Sequence, residues 1–514
     1  MGRRGRFFSG ERQLAGGFVR AQLEELEMPA AAAEPRRLLC GRFCGVGAAR
    51  VDLRWAAMPI RGRLRVLRTA RHRMAEYTEE FAAAISPALA RTNADTLLTE
   101  LLPLLGACKF LERDAERLLR PRKLGLRGRP LWLGGIRAEV HHEPLGHVLV
   151  IGPANFPLFV PGVQALQALA AGNTVTWKPG TGGAAVAQLV ARALREAGLP
   201  EGVLTVTDES VAAARQALAE GADKVVFTGS SVSGRAVQAG LAETATPAVM
   251  ELSGADALVV TPGAPLERVA KAVAFGLRLN GGAVCMSPRR LFATPATMAT
   301  LRPLLDAELA KVPPVVLDAR MADRLRTLVD DAVSEGAVVR GTVQGHAQRP
   351  LVVDAARAAM AIACSDIFAP VISLIETESL LHLTELYAQC PYGLTVAIFC
   401  APQEEKRARA LARELRAGTV LINDLIAPTV DPRVPFGGRG ASGYGVTRGA
   451  EGLLEMTAVK TLLVRRGGVM LHLDATTDAD TPRFAGFIAA MHGKGWARRW
   501  SGLRQAMKVA RQRK

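Results

Sequence analysis

In "RLNGGAVCMSPRR", residues 278 to 290, Cys285 stands among glycines and small residues in a run whose only charges are arginines. A cysteine in such a place is either a small buried hydrophobe or a thiolate nucleophile on a loop that lets a substrate come close. Thirty-four residues earlier, "VMELSG" sets Glu251 after an apolar lead and before a glycine, which is unusual for a purely structural strand because carboxylates are rarely buried unpaired. Three other stretches place polar or small residues where apolar runs stop. "IGPANFP" carries Asn155, "WKPGT" carries Lys178, and "FTGSSVSG" carries Gly229 and Ser230. Glycine beside a helix N-terminus suits a pyrophosphate, although a Gly-Ser turn also serves as an ordinary helix cap.

These residues need elements to hold them, and the chain supplies an alternating series. "HVLVIGPANFP", "NTVTWKP", "GVLTVT" and "KVVFTG" are short apolar strands separated by the helical patterns "GVQALQALAAG", "GGAAVAQLVARALREAG" and "VAAARQALAEG". Strands alternating with helices predict a parallel α/β sheet, whose ligands sit beyond the carboxyl ends of the strands. A second α/β stretch runs from "DALVVT" to "LTVAIF", and helical spacing between Pro59 and Arg122 predicts two or three packed helices ahead of the first.

Read together, these stretches resemble the aldehyde dehydrogenase superfamily from about Pro59 to Leu463. The shared pieces are "PANFP", the "KP" pair, "FTGS", "ELSG", "NGGAVCMSPRR", "DIFAPVISL", and "NDL" followed by "PFGGRGASGYG". The resemblance implies a Rossmann-type cofactor domain, an α/β catalytic domain and a small bridging strand region. Residues 51–252 would form the cofactor domain with a bridging hairpin at 123–145, and 253–420 the catalytic domain. Residues 421–463 would return to the first domain, after a loose lead-in at 1–50 and before a basic extension at 464–514.

The same resemblance makes Cys285 the nucleophile, Glu251 the base that activates water, and Asn155 a donor to the oxyanion together with the Cys285 backbone N–H. Ile151, Lys178, Thr181, Gly229, Ser230, Asp366 and Phe368 would line an NAD or NADP site. Thr181 stands where NAD-preferring members carry a glutamate. With no carboxylate evident nearby, NADP is expected to be tolerated or preferred. Asp366 is one methylene shorter than the family's usual glutamate, and Thr447 replaces a second glutamate. The implied activity is oxidation of an aldehyde to a carboxylic acid through a cysteine thiohemiacetal and thioester, in a homodimer or homotetramer. A coenzyme A-dependent acylating enzyme and a catalytically silent member of the fold remain as alternatives.

Composition fits this picture. The 514 residues carry 22% charged and 5% aromatic residues, as ordinary soluble proteins do. Seven scattered cysteines suit a reducing, cytoplasmic setting, and no metal site is expected. The net charge of +17 gathers at the ends, so a nucleic-acid partner is not expected. Trp496, Trp500, Leu503 and Met507 trace one face of a basic amphipathic helix, and residues 484–514 read either as a peripheral membrane contact or as a helix packed on protein.

Overall fold

A computed structural model describes residues 52–512, apart from 86–88, 90, 131, 132, 134, 345, 346, 468, 469 and 474. The lead-in at 1–50 therefore lies outside the described residues.

Two sheets organise the body. The first runs Gly443–Tyr444, Ala248–Leu252, Lys224–Gly229, His147–Ile151, Thr174–Lys178 and Leu204–Val206, parallel except at Gly443–Tyr444. His147–Ile151 and Thr174–Lys178 are buried throughout, as strands covered on both faces by helices must be. Helix Phe159–Ala171 is likewise buried nearly all round and carries no charge. It ends at Gly172, whose φ of 101° is the left-handed conformation that closes a helix without cost to glycine.

The second sheet orders seven strands as Val338–Arg340, Leu351–Asp354, Val371–Glu376, Pro288–Ala293, Asp256–Val260, Thr395–Phe399 and Thr419–Ile422. Apolar clusters fill both of its faces. A third, three-stranded sheet pairs Arg122–Leu124 with Ile136–Pro144, and the latter with Thr457–Arg465 along nine residues.

Ahead of the first sheet, helix Ile60–Glu76 packs on helix Leu102–Leu119. The latter is preceded by a π turn, Leu97–Leu101. Pro103 lacks the N–H that a regular helix would offer to the carbonyl of Thr99, and the widened turn rolls Glu100 into the interior. At the other end, helices Thr481–His492 and Trp496–Gln512 form a hairpin, where the sequence pattern points only to the second helix.

Candidate active site

The first sheet has its switch point between His147–Ile151 and Lys224–Gly229. From one the chain moves out to Thr174–Lys178, from the other to Ala248–Leu252. A ligand crevice is expected beyond the strand ends there. Ile151 ends one strand and Gly229 the other. Ser230 caps helix Ser231–Ala242, its Oγ accepting from the Ser233 N–H at 3.1 Å. Tyr392 Oη lies 3.5 Å from Ser231 Oγ. Burial and the nearby Asp366 raise the Tyr392 phenol pKa. Asp366 is held by Arg324 at 3.0 Å, so any grip on a ribose is shared with a guanidinium.

Lys178 closes the next strand and is buried. Desolvation lowers its pKa, while Glu209 and Asp208 hold it up. Here the expectation of a carboxylate-free surrounding at Thr181 is corrected. Glu209 Oε2 accepts from the backbone N–H groups of Gly182 at 2.9 Å and Ala184 at 3.4 Å, at the start of helix Ala184–Glu196. A carboxylate from the loop after Leu204–Val206 thus lies at the turn that follows Thr181. The strand-end set, the capped helix start and the buried lysine fit a dinucleotide.

Cys285 follows three consecutive left-handed residues, Asn280, Gly281 and Gly282, with φ of 49°, 62° and 77°. A side chain at Gly282 would come within 2.9 Å of the Ala369 backbone. The glycines therefore serve close backbone packing as well as access. Arg289, fully inside the protein, donates to the carbonyls of Gly282 and Ala369 and so clamps the cysteine loop to the Asp366 loop. Burial brings its pKa down to about 10.

Asn155 donates from Nδ2 to the carbonyl of Ala283 at 2.9 Å, two residues before Cys285. Its own carbonyl accepts from Arg91 and, at 3.1 Å, from Asn280 Nδ2. Arg91 also stacks on Phe156 at 4.7 Å and pairs with buried Glu100 at 2.6 Å. Glu100 accepts in addition from the N–H groups of Leu158 and Phe159. Burial raises the Glu100 pKa against the pull of Arg91. Neither Arg91 nor Glu100 carries a sequence signal of its own.

Glu251 sits in strand Ala248–Leu252, opposite Thr228 on one side and Gly443 on the other. Burial raises its pKa; Arg448 and the Thr447 hydroxyl, 3.2 Å away, lower it. Cys285 is half-buried. Burial, Glu251 and Asp256 push its thiol well above the usual range, and Arg448 pulls it back. Arg448 has φ of 61°, donates to the carbonyl of Thr429 at 2.6 Å and lies over the Phe436 ring at 4.2 Å. Its pKa is lowered by desolvation and held up by Glu251 and Cys285. One buried cation is thus electrostatically coupled to both Glu251 and Cys285. Beside it, Phe110, Phe159, Val163, Pro432 and Arg448 among others line a small, mostly apolar cavity with room for about one water.

A strand-end crevice beside a cysteine loop and a buried carboxylate is the arrangement expected of a nucleotide-dependent oxidoreductase. Residues 46–462 match the aldehyde dehydrogenase family. The "4,4'-diapolycopene aldehyde oxidase" of Methylomonas sp is 28% identical over 419 residues, spanning 79% of this chain and 78% of the relative. A vanillin dehydrogenase of Pseudomonas sp. (strain HR199 / DSM 7063) is 31% identical, spanning 80% and 87%. The crystal structure of an NAD-dependent aldehyde dehydrogenase from Sinorhizobium meliloti superposes with a TM-score of 0.76 at 25% identity, covering 83% of this chain and 87% of that one. The chain belongs to the aldehyde dehydrogenase family. Its activity is oxidation of an aldehyde with NAD or NADP as acceptor.

Proposed function

We propose that Cys285 carries out this oxidation as the nucleophile, with Glu251 as the base for hydrolysis and Asn155 as oxyanion donor. The observation that carries the assignment is that the three segments meet: Asn155 Nδ2 donates to the Ala283 carbonyl beside Cys285 at 2.9 Å, and a Cβ on Gly254, three residues past Glu251, would come within 3.0 Å of the Cys285 carbonyl. Sγ adds to the aldehyde carbon, and the oxygen that gains charge is met by the Asn155 amide and the Cys285 backbone N–H. Ile151, Lys178, Thr181, Gly229, Ser230, Asp366 and Phe368 would hold the dinucleotide, which when bound would supply the acceptor for the hydride lost from the thiohemiacetal carbon, leaving a thioester on Sγ. The resulting thioester is attacked by water. Glu251 takes the water proton as the C–S bond breaks, releasing the acid and returning the thiol.

The small side chains at Ala154, beside Asn155, and at Ala283, two residues before Cys285, support an apolar or extended aldehyde as substrate. Strand Thr457–Arg465 leaves one edge unpaired and exposes Val459, Leu462, Leu463 and Val464, which supports a homodimer or homotetramer. A cytoplasmic enzyme peripheral to a membrane completes the reading.

The test is cofactor reduction across aliphatic, aromatic and semialdehyde substrates, with wild type, Cys285→Ala and Glu251→Gln in parallel. Turnover vanishes in Cys285→Ala. Glu251→Gln gives one burst of reduction and a stable acyl adduct by intact mass. Product that forms only with added coenzyme A would replace hydrolysis by thiol transfer and remove Glu251 from its role.

A further inference from the structure

The C-terminal hairpin packs in the opposite sense from a water-soluble helix pair. Helices Thr481–His492 and Trp496–Gln512 pack chiefly on each other, through Gly486, Gly502 and Ala506, which are buried. A Cβ on Gly486 would meet the Ala506 nitrogen at 2.7 Å, and one on Gly502 would meet the Ala490 nitrogen at 2.5 Å, so the two backbones nearly touch. The large apolar side chains point elsewhere. Phe484, Phe487, Ile488, Trp496, Trp500 and Met507 are all exposed, Ile488 by 64% and Trp496 by 77%.

In water, apolar burial drives helix association, and residues of this size belong between the helices. Small residues at the contact with large ones outside is the pattern of helices packed in lipid, where the hydrocarbon covers the outer face. The helices have 12 and 17 residues, and no helix among the described residues is long and apolar enough to cross a membrane. The hairpin therefore suits the interface plane. Trp496 and Trp500 stack at 5.9 Å, and Arg504 lies 5.4 Å over the Trp500 ring. Indole rings with cations beside them favour the headgroup level of a bilayer.

Charge selects the kind of surface. From 481 to 512 there are seven Lys/Arg residues and no Asp or Glu. A second copy of the same hairpin would set cation against cation. We infer that this hairpin is an in-plane anchor that docks the enzyme on an anionic lipid surface through Phe484, Phe487, Ile488, Trp496 and Trp500. The inference stands apart from the assignment of the active site. Joined to it, it places the oxidising site where apolar aldehydes dissolved in the bilayer are concentrated.

The experiment is co-sedimentation of the full chain with phosphatidylcholine vesicles, with and without about one third phosphatidylglycerol, at low and high salt. Wild type is expected to pellet with the anionic vesicles at low salt and to stay in solution with neutral ones. Trp496→Ser/Trp500→Ser is expected to lower binding by about tenfold or more, while turnover of a water-soluble aldehyde without vesicles is unchanged. That turnover reports folding, so loss of binding and loss of the active site are read separately. Wild type that stays in solution with anionic vesicles, or a double variant that pellets equally, overturns the inference. So does concentration-dependent self-association that the double variant abolishes, which would make a second copy the occupant.

Discussion

The Thr447 hydroxyl lies 3.2 Å from both Glu251 Oε2, almost two hundred residues back along the chain, and the Phe436 carbonyl, so the two acceptors share its one proton. A hydrogen bond to an ionised group contributes about 1.5–3 kcal/mol, or roughly one to two pH units of carboxylate stabilisation. Burial already raises the Glu251 pKa, so removing the donor raises it further. In Thr447→Val the acid limb of the kcat profile is expected to move to higher pH by about one unit, with activity nearer wild type on the alkaline side. An unmoved limb would show that Glu251 is not the group titrating there.

Arg448 acts on both titrating groups. Its removal in Arg448→Leu is expected to raise the Glu251 and Cys285 pKa values together, because its charge opposes burial at each. Only the thiolate reacts with iodoacetamide, so alkylation of Cys285 at fixed pH should slow by about tenfold for every pH unit by which the thiol comes to titrate higher. Arg448→Lys should recover part of the rate. Equal alkylation rates in all three proteins would sink the shared-cation account.

Glu209 places a negative charge at the start of helix Ala184–Glu196, and if Lys178 and Thr181 receive the adenosine ribose as proposed, it would face a 2′-phosphate. Repulsion there favours NAD. Glu209→Gln is expected to raise kcat/KM for NADP relative to NAD by about tenfold, corresponding to about 1.4 kcal/mol. Steady-state kinetics with both nucleotides read this directly, and an unchanged ratio would move nucleotide choice elsewhere.

The Arg91–Glu100 pair is buried on both sides at 2.6 Å. Removing one member leaves the other uncompensated, which typically costs about 3–5 kcal/mol. Glu100→Leu also strands the N–H groups of Leu158 and Phe159. Thermal melting should show a large fall for this variant and partial recovery in Glu100→Leu/Arg91→Met, where the orphaned cation is gone as well. A double variant no more stable than the single one would contradict a charge-pairing origin.

What could be read from the sequence follows from range. "HVLVI", "TVTWK" and "AVMEL" are local patterns, and each became a strand of the first sheet. The glycines around Cys285 were equally visible because backbone constraint is written in the residues that bear it. Partners brought from afar left no such mark. Glu209 meets Gly182 across 27 residues, Arg324 meets Asp366 across 42 and Arg91 meets Asn155 across 64. With 65 basic residues, only 11 of them lysine, no local feature tells Arg91, Arg289 or Arg448 from the many arginines in water. Glu100 was hidden for another reason: a π turn shifts the helical phase by which its inward position would have been recognised.

The Arg289 clamp has a kinetic consequence. One buried guanidinium joins the carbonyls of Gly282 and Ala369 and so ties the segment bearing Cys285 to the segment bearing Asp366. If Asp366 grips the nucleotide as proposed, seating it would set the attitude of the cysteine loop before any aldehyde arrives. Such linkage favours a compulsory order of addition, nucleotide first and reduced nucleotide last, and makes departure from the crevice a candidate for the slow step of each cycle.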